Sequence, residues 1–207
     1  PAAASASGPA QGELFAEGDR GDSPGDTDSF GDGDSGEEDA GTLGTLTHAL
    51  LERAVLEPVE RDEWAQLPAW AERGLSPAAA GEVTAAMLDE AWDLARRFLD
   101  SPLWAHLRGG QIHAELPFLF VPEAVDVAIS GTMDLVVERD DAVWVVDYKT
   151  NRELDPRTYQ GQMSVYRAAA AHLFSRPVEL RLFGLRRGEA YEVSDRMEDI
   201  VRLLQLP

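Results

Sequence analysis

The stretch Val143-Trp-Val-Val-Asp147-Tyr-Lys149-Thr150 constrains the fold more than any other part of the chain. Val143 to Val146 form a short, β-branched apolar run with no polar face, which predicts a strand covered on both sides. Such a strand needs sheet neighbours and helices on both faces of the sheet. The run then ends in two charges. Side chains alternate along a strand, so Asp147 and Lys149 project from the same face. A carboxylate and an ammonium emerging among buried valines are costly unless they pair or bind a metal. The choice of lysine is informative, because 17 of the 18 basic residues are Arg and Lys149 is the single Lys. Arginine is the ordinary partner of a structural carboxylate and never gives up its proton. A lysine near a metal can have its pKa lowered and help to activate water.

The pattern around this strand predicts a mixed α/β domain. Before it, Leu43, Leu46, Leu50 and Leu51 have helical spacing and carry His48. A second helical piece is expected near Arg61–Arg73. A long helix is expected from an N-cap at Ser76, with Pro77 at its first position, to about Leu99. Leu103–Leu107 reads as one more turn before Gly109-Gly110 breaks it. The period then switches, with strands expected at Ile112–Phe120, Ala128–Glu138 and Val143–Tyr148. Asp155-Pro156 sets the start of a helix to about Leu173. A strand at Val178–Leu185, a short one at Ala190–Val193 and a helix at Met197–Leu206 complete the chain. About 167 residues suffice for one mixed sheet with helices on both sides.

Several polar residues interrupt this frame. A hairpin-type connection at Asp140-Asp141 would set Asp134, after Gly131-Thr-Met, beside Asp147. With the carbonyl of Tyr148 they would offer an oxygen-rich site suited to Mg²⁺ or Mn²⁺. The alternative is that Asp134 is simply a turn residue after Gly131, against which apolar Leu135 and Val136 argue. Glu115 breaks an apolar strand, either as a solvent-facing carboxylate or as part of the cluster. Tyr159, Gln162 and Tyr166 share one helical stripe, a pattern also common in cores. His48 by itself could be a packed or capping residue.

Composition narrows the classes. With no Cys among 207 residues, disulfides, thiolate zinc sites, iron–sulfur clusters and cysteine nucleophiles are all excluded. No apolar run reaches the roughly 18–20 residues of a membrane span, and the N-terminus has no signal-peptide pattern. A cytoplasmic location is the simplest expectation. The start at Pro1-Ala2-Ala3, without Met, reads as a piece cut from a longer polypeptide. The net charge of −20 is uneven: −10 in residues 1–40, −12 in 41–147 and +2 in 148–207. Gly, Asp, Ser and Glu dominate the first 40 residues, which are expected to form a disordered acidic tail. The folded domain is expected over 41–207, with a helical segment at 42–107 and a core at 111–207.

Taken together, Gly44-x3-His48, Glu115-Leu-Pro-Phe118, Gly131-Thr-Met-Asp134, Asp147-Tyr-Lys149-Thr-Asn151 and Gln162-x3-Tyr166 resemble the RecB-like branch of the PD-(D/E)XK nucleases. The likeness is greatest to the C-terminal nuclease domains of RecB- and AddA-type helicase–nucleases, and it covers roughly residues 42–187. It implies a restriction-endonuclease-like core and a Mg²⁺-dependent DNA exonuclease, with Mn²⁺ as a possible substitute. His48, Asp134, Asp147 and the Tyr148 carbonyl would be metal ligands. Lys149 would orient and activate water and stabilise the transition state. Glu115, Gln162 and Tyr166 would support the site or contact substrate. The partners implied are single-stranded DNA or unwound duplex ends, helicase domains in the same natural chain, and a partner subunit. A solitary nuclease of the same branch and a non-catalytic DNA-binding relative are the alternatives. The iron–sulfur cluster of some relatives is excluded here.

In the tail, Gln11-Gly-Glu-Leu14-Phe15 resembles the short peptide by which bacterial repair proteins dock on the sliding clamp, though five residues match readily by chance. Arg20-Gly21-Asp22 in a Gly/Asp-rich tail is read as coincidence. The acidic balance runs against strong DNA binding, since phosphate contacts demand clustered cations. The isolated chain is therefore expected to bind DNA weakly, with a Kd that rises steeply with salt. Tight binding that is insensitive to salt, measured by fluorescence anisotropy, would contradict this.

Overall fold

The computed structural model describes residues 34–121 and 128–193. Most of the acidic tail, the clamp-like peptide and the helix expected at Met197–Leu206 lie outside the described residues. A five-stranded sheet organises the rest: β1 (Gln111–Phe120), β2 (Ile129–Glu138), β3 (Val143–Lys149), β4 (Val178–Gly184) and β5 (Glu189–Glu192), hydrogen-bonded in that order. β3 pairs antiparallel with β2 and parallel with β4, while the β1/β2 and β4/β5 pairs are antiparallel. This is the mixed, helix-flanked sheet expected of a restriction-endonuclease-like PD-(D/E)XK fold.

One face of the sheet is covered by a helical layer built on α1 (Asp34–Leu56), α5 (Ala85–Leu99) and α6 (Pro102–Leu107), with the short helices α2 (Arg61–Trp64), α3 (Ala69–Glu72) and α4 (Pro77–Glu82) between α1 and α5 in the chain. Leu43, Leu46, Leu50 and Leu51 form the buried stripe of α1, and Leu88, Ala91, Leu94, Ala95 and Phe98 that of α5. These stripes pack with each other and with Leu135, Val137, Val146, Tyr148 and Phe183 from the sheet. The other face is covered by α7 (Gln160–Phe174), preceded by a 3-10 turn at Pro156–Tyr159. Met163, Val165, Ala169 and Ala170 pack there against Val143, Val145, Leu180 and Leu182. β3 is therefore buried on both faces, as its apolar run requires. Trp144, Val146 and Tyr148 face the large helical layer, while Val143, Val145 and Asp147 face α7.

The first helix is described from Asp34. Three expectations need correction. The helical piece at Arg61–Arg73 is two single turns, α2 and α3, because Leu67 adopts a left-handed φ of 48° and Pro68 follows it. The helix from Ser76 is also two helices. Ser76 does cap α4, accepting from the Ala79 N–H, but Val83 is extended at ψ 121°. Thr84 then caps α5 anew by accepting from the Met87 N–H. Beyond Asp155 the chain first makes the 3-10 turn, and α7 proper starts at Gln160.

The Gly109-Gly110 break between α6 and β1 has a steric cause. A Cβ on Gly110 would lie 2.5 Å from the Glu138 carbonyl oxygen and 2.6 Å from Val137 Cγ1, so the crossing requires glycine. Gly110→Ala should cost about 1–3 kcal/mol in stability, as overpacking does. Gly81→Ala, where a Cβ meets nothing within 4 Å, should be neutral or slightly stabilising. Paired thermal melts test the contrast, and equal melting temperatures would refute it.

Candidate metal and catalytic site

The site lies where β1 and β2 change face. Ile112 and Ala114 pack toward the large helical layer, whereas Leu116, Phe118 and Phe120, of the same strand parity, pack toward α7. Strict alternation forbids this without a break. The break is Glu115, whose φ of 47° is left-handed and unusual for a residue with a Cβ. The paired register runs Ala114↔Leu135 and then Leu116↔Met133, passing over Glu115 and Asp134. Strain of this kind at a polar residue is a mark of functional sites.

Three side chains converge at the break. His48, on α1, points its Nδ1 to within 3.9 Å of Glu115 Oε1 and 3.7 Å of Asp134 Oδ2. One ligand atom from each of His48, Glu115 and Asp134 lies within 4.8 Å of the others. The Tyr148 ring meets His48 edge-on at 5.9 Å and is itself packed on Phe98, so the imidazole is braced from the core. The Tyr148 backbone N–H donates to Asp134 Oδ2 at 2.8 Å, which ties β3 to that carboxylate. Glu115, read from sequence as a supporting residue, thus stands inside the cluster.

Asp147 stands beside it, following the Leu135↔Val146 pair that aligns β2 with β3. It is 1% exposed. Its Oδ2 lies 2.9 Å from Lys149 Nζ, while Oδ1 is buried with no hydrogen-bond partner among the described residues. On α7, Tyr166 donates its hydroxyl to the Thr132 carbonyl at 2.8 Å and accepts from Gln162 Nε2 at 2.9 Å. These two residues anchor α7 to β2 two positions before Asp134. All eight residues singled out from sequence therefore gather at this end of the sheet.

Crowding of acids sets the electrostatics. Burial, then the charges of Asp134 and Glu52, pushes the Glu115 carboxyl up to about 8. Burial and repulsion from Asp134 push Asp147 up to about 7, against the opposing pull of Lys149 and His48. Burial disfavours the charged form of Lys149, but the Asp147 charge and hydrogen bond outweigh it and raise its pKa. Glu52, one turn beyond His48 on α1, was not singled out; its i, i+4 spacing from His48 was the available signal. Tyr159, whose ring lies 4.7 Å from Lys149 Nζ, was noted only as part of a stripe.

The donors fit a divalent cation. Two carboxylates and an imidazole converge, and Asp147 Oδ1 is a buried acceptor with no hydrogen-bond partner among the described residues. Hard oxygens with one nitrogen suit Mg²⁺ or Mn²⁺. The adjoining cleft is lined by Gly44, Thr45, His48, Ala49, Glu52, Gly74, Glu115 and Thr132. Among the described residues its lining holds no Lys or Arg.

A helix-flanked mixed sheet carrying clustered acids and a strand-end Asp-x-Lys defines a nuclease class that uses divalent metals. The sequence matches the PD-(D/E)XK nuclease superfamily over residues 27–205, and the chain belongs to that superfamily. No curated protein sequence matches it. Among solved structures it is similar to a "Putative exonuclease" from Eubacterium rectale, with 13% identity and a TM-score of 0.45. That likeness covers 76% of this chain and 62% of the other, so the chain spans less than two thirds of its neighbour's length. It is also similar to a protein designated SSO0001, with 21% identity, a TM-score of 0.38, and 79% and 72% of the two chains covered.

The raised carboxyl pKa values have a consequence for stability. The folded protein holds the Glu115 and Asp147 protons more tightly than the unfolded chain, whose values lie near 4.5 and 3.8. Their contribution is therefore most favourable below pH 4 and is lost as pH rises toward 7–8. In the presence of chelator, the melting temperature should fall across this window, and Glu115→Gln should make the fall shallower. Identical slopes for the two proteins would contradict the assignment.

Proposed function

We propose that this chain is a Mg²⁺-dependent DNA exonuclease of the RecB-like branch, and that in nature it forms the C-terminal part of an ATP-dependent helicase–nuclease serving double-strand break repair and recombination. The observation that carries this reading is the buried Asp147–Lys149 pair, 2.9 Å apart, opening onto the His48, Glu115 and Asp134 cluster. An ordinary structural ion pair would have no need of three further ligand groups or of an unpartnered carboxylate oxygen.

In this reading His48, Asp134, Asp147 and the Tyr148 carbonyl hold the metal, with Glu115 as a further ligand. When bound there, a divalent ion would supply a lowered pKa for water and neutralisation of charge on the phosphoryl oxygens. The chain's own groups do the rest. Lys149, kept in its ammonium form by Asp147, donates to the attacking water or to a phosphate oxygen and meets the charge that develops there. Gln162 and Tyr166 hold β2, and so Asp134, in register with β3. His48 requires α1 to be docked, which makes the N-terminal helical layer part of the active unit. The sparse cations of the cleft favour a strand delivered by a motor over one captured unaided, in line with helicase domains in the same natural chain. A cytoplasmic setting accords with this; among the described residues no helix is long and apolar enough to cross a membrane.

The test is degradation of linear and circular single-stranded DNA with Mg²⁺, Mn²⁺ or chelator. Wild type should degrade linear DNA only with metal and spare circles, and Lys149→Ala should lower the rate by about 10²-fold or more. A wild type that binds Mn²⁺ normally yet cuts nothing would overturn independent nuclease activity. Cutting of circles would overturn the exonuclease assignment.

A further inference from the structure

Lys149 is held from two sides. Its Nζ lies 2.9 Å from Asp147 Oδ2 and 4.7 Å from the centroid of the Tyr159 ring. Tyr159 ends the 3-10 turn and opens α7, and its hydroxyl donates to Asn151 Oδ1 at 3.3 Å, two residues beyond Lys149. Asp155 caps the turn by accepting from the Arg157 N–H at 3.0 Å. The loop between β3 and α7 is thereby folded back so that the ring faces the strand end.

We propose that Tyr159 is a positioning residue for Lys149, its ring forming a seat that keeps the ammonium at the mouth of the site when Asp147 is engaged elsewhere. The inference rests on the reading of Lys149 as a catalytic group. A lysine side chain has four rotatable carbon–carbon bonds, and one ion pair fixes only its tip. A divalent cation on Asp147 Oδ1 would draw charge from the carboxylate that holds the ammonium through Oδ2, and it would also repel the ammonium. A second restraint is needed that neither removes the lysine's charge nor uses that carboxylate. An aromatic face meets both conditions, because its quadrupole attracts the cation without accepting a conventional hydrogen bond. The N–H groups that Asp147 does not take stay available to water or phosphate oxygen. The hydroxyl of Tyr159 serves only to steady the ring through Asn151.

The composition supplies a direct test, because Lys149 is the only lysine among 207 residues. Lysine labelled with ¹³C and ¹⁵N gives one set of side-chain NMR signals from the full chain. The ε-CH2 protons should be shifted upfield by the ring current and should show contacts to the ring protons of Tyr159. The shift should persist in Tyr159→Phe and vanish in Tyr159→Leu. On linear single-stranded DNA, Tyr159→Leu should lose about tenfold in kcat with KM unchanged, and Tyr159→Phe should restore the rate. Melting temperature and Mn²⁺ affinity should be the same in all three proteins. A wild-type ε-CH2 signal without upfield shift or ring contacts overturns the proposal whether or not any variant folds. So does a Phe variant as impaired as the Leu variant, or an effect on KM alone, which would make the ring a substrate contact. If wild type cuts no DNA, the nuclease reading fails, while the NMR signals still decide whether the ring seats the lysine.

Discussion

A carboxylate buried in the middle of a sheet is the constraint around which this molecule is arranged. Removing a charge from water costs several kcal/mol even after relaxation, and one partner rarely repays it in full. Asp147 sits under that penalty because its strand leaves it no choice. Val143, Val145 and Val146 are buried on opposite faces of β3, and together they fix the register of the strand between β2 and β4. A slip of one residue would carry the valines off their faces and exchange Asp147 with Tyr148. The apolar strand thus holds the acid in an unfavourable place, and the surroundings offset part of the cost. Lys149 pairs with one oxygen, and the other has no hydrogen-bond partner among the described residues.

The same logic explains the neighbouring distortions. Asp134 reaches the Tyr148 N–H because β1 and β2 turn over at Glu115, and that turn requires a left-handed backbone at a residue with a Cβ. The strain is sustained by packing on both sides of it. Ile112 and Ala114 are held against the large helical layer, and Phe118 and Phe120 against α7. Membership of the PD-(D/E)XK nuclease superfamily is consistent with this division of labour, in which apolar packing gives the sheet its rigidity and the polar residues sit at its discontinuity.

What was legible in the sequence follows from how each signal is encoded. β3 was readable because double burial leaves no polar face, and the Asp147–Lys149 pairing followed from strand alternation alone. The order of the other strands was readable from their turn residues, and so was the helix cap at Ser76. The break before α5 was harder. Thr84 is a good cap, but the helical spacing continues across it and outweighs a single residue. The left-handed residues Leu67 and Glu115 carry no sequence mark, since such conformations are normally announced by Gly or Asn. Glu115 could therefore be placed near the site but not inside the ligand cluster. The stripe on α7 was visible, yet its spacing could not separate Tyr159, which meets Lys149, from Tyr166, which holds a strand carbonyl.

His48 belongs to α1, whereas Glu115 and Asp134 belong to the sheet, with the whole remaining helical layer between them in sequence. An ion held by all three would act as a cross-link between layers, closing a long loop much as a disulfide does in a protein that has cysteines. The helical layer would then be docked on the sheet more firmly when the site is loaded than when it is bare. Such an ion would be a mechanical component of the tertiary structure, and would couple the cohesion of the two layers to the metal supply around the protein.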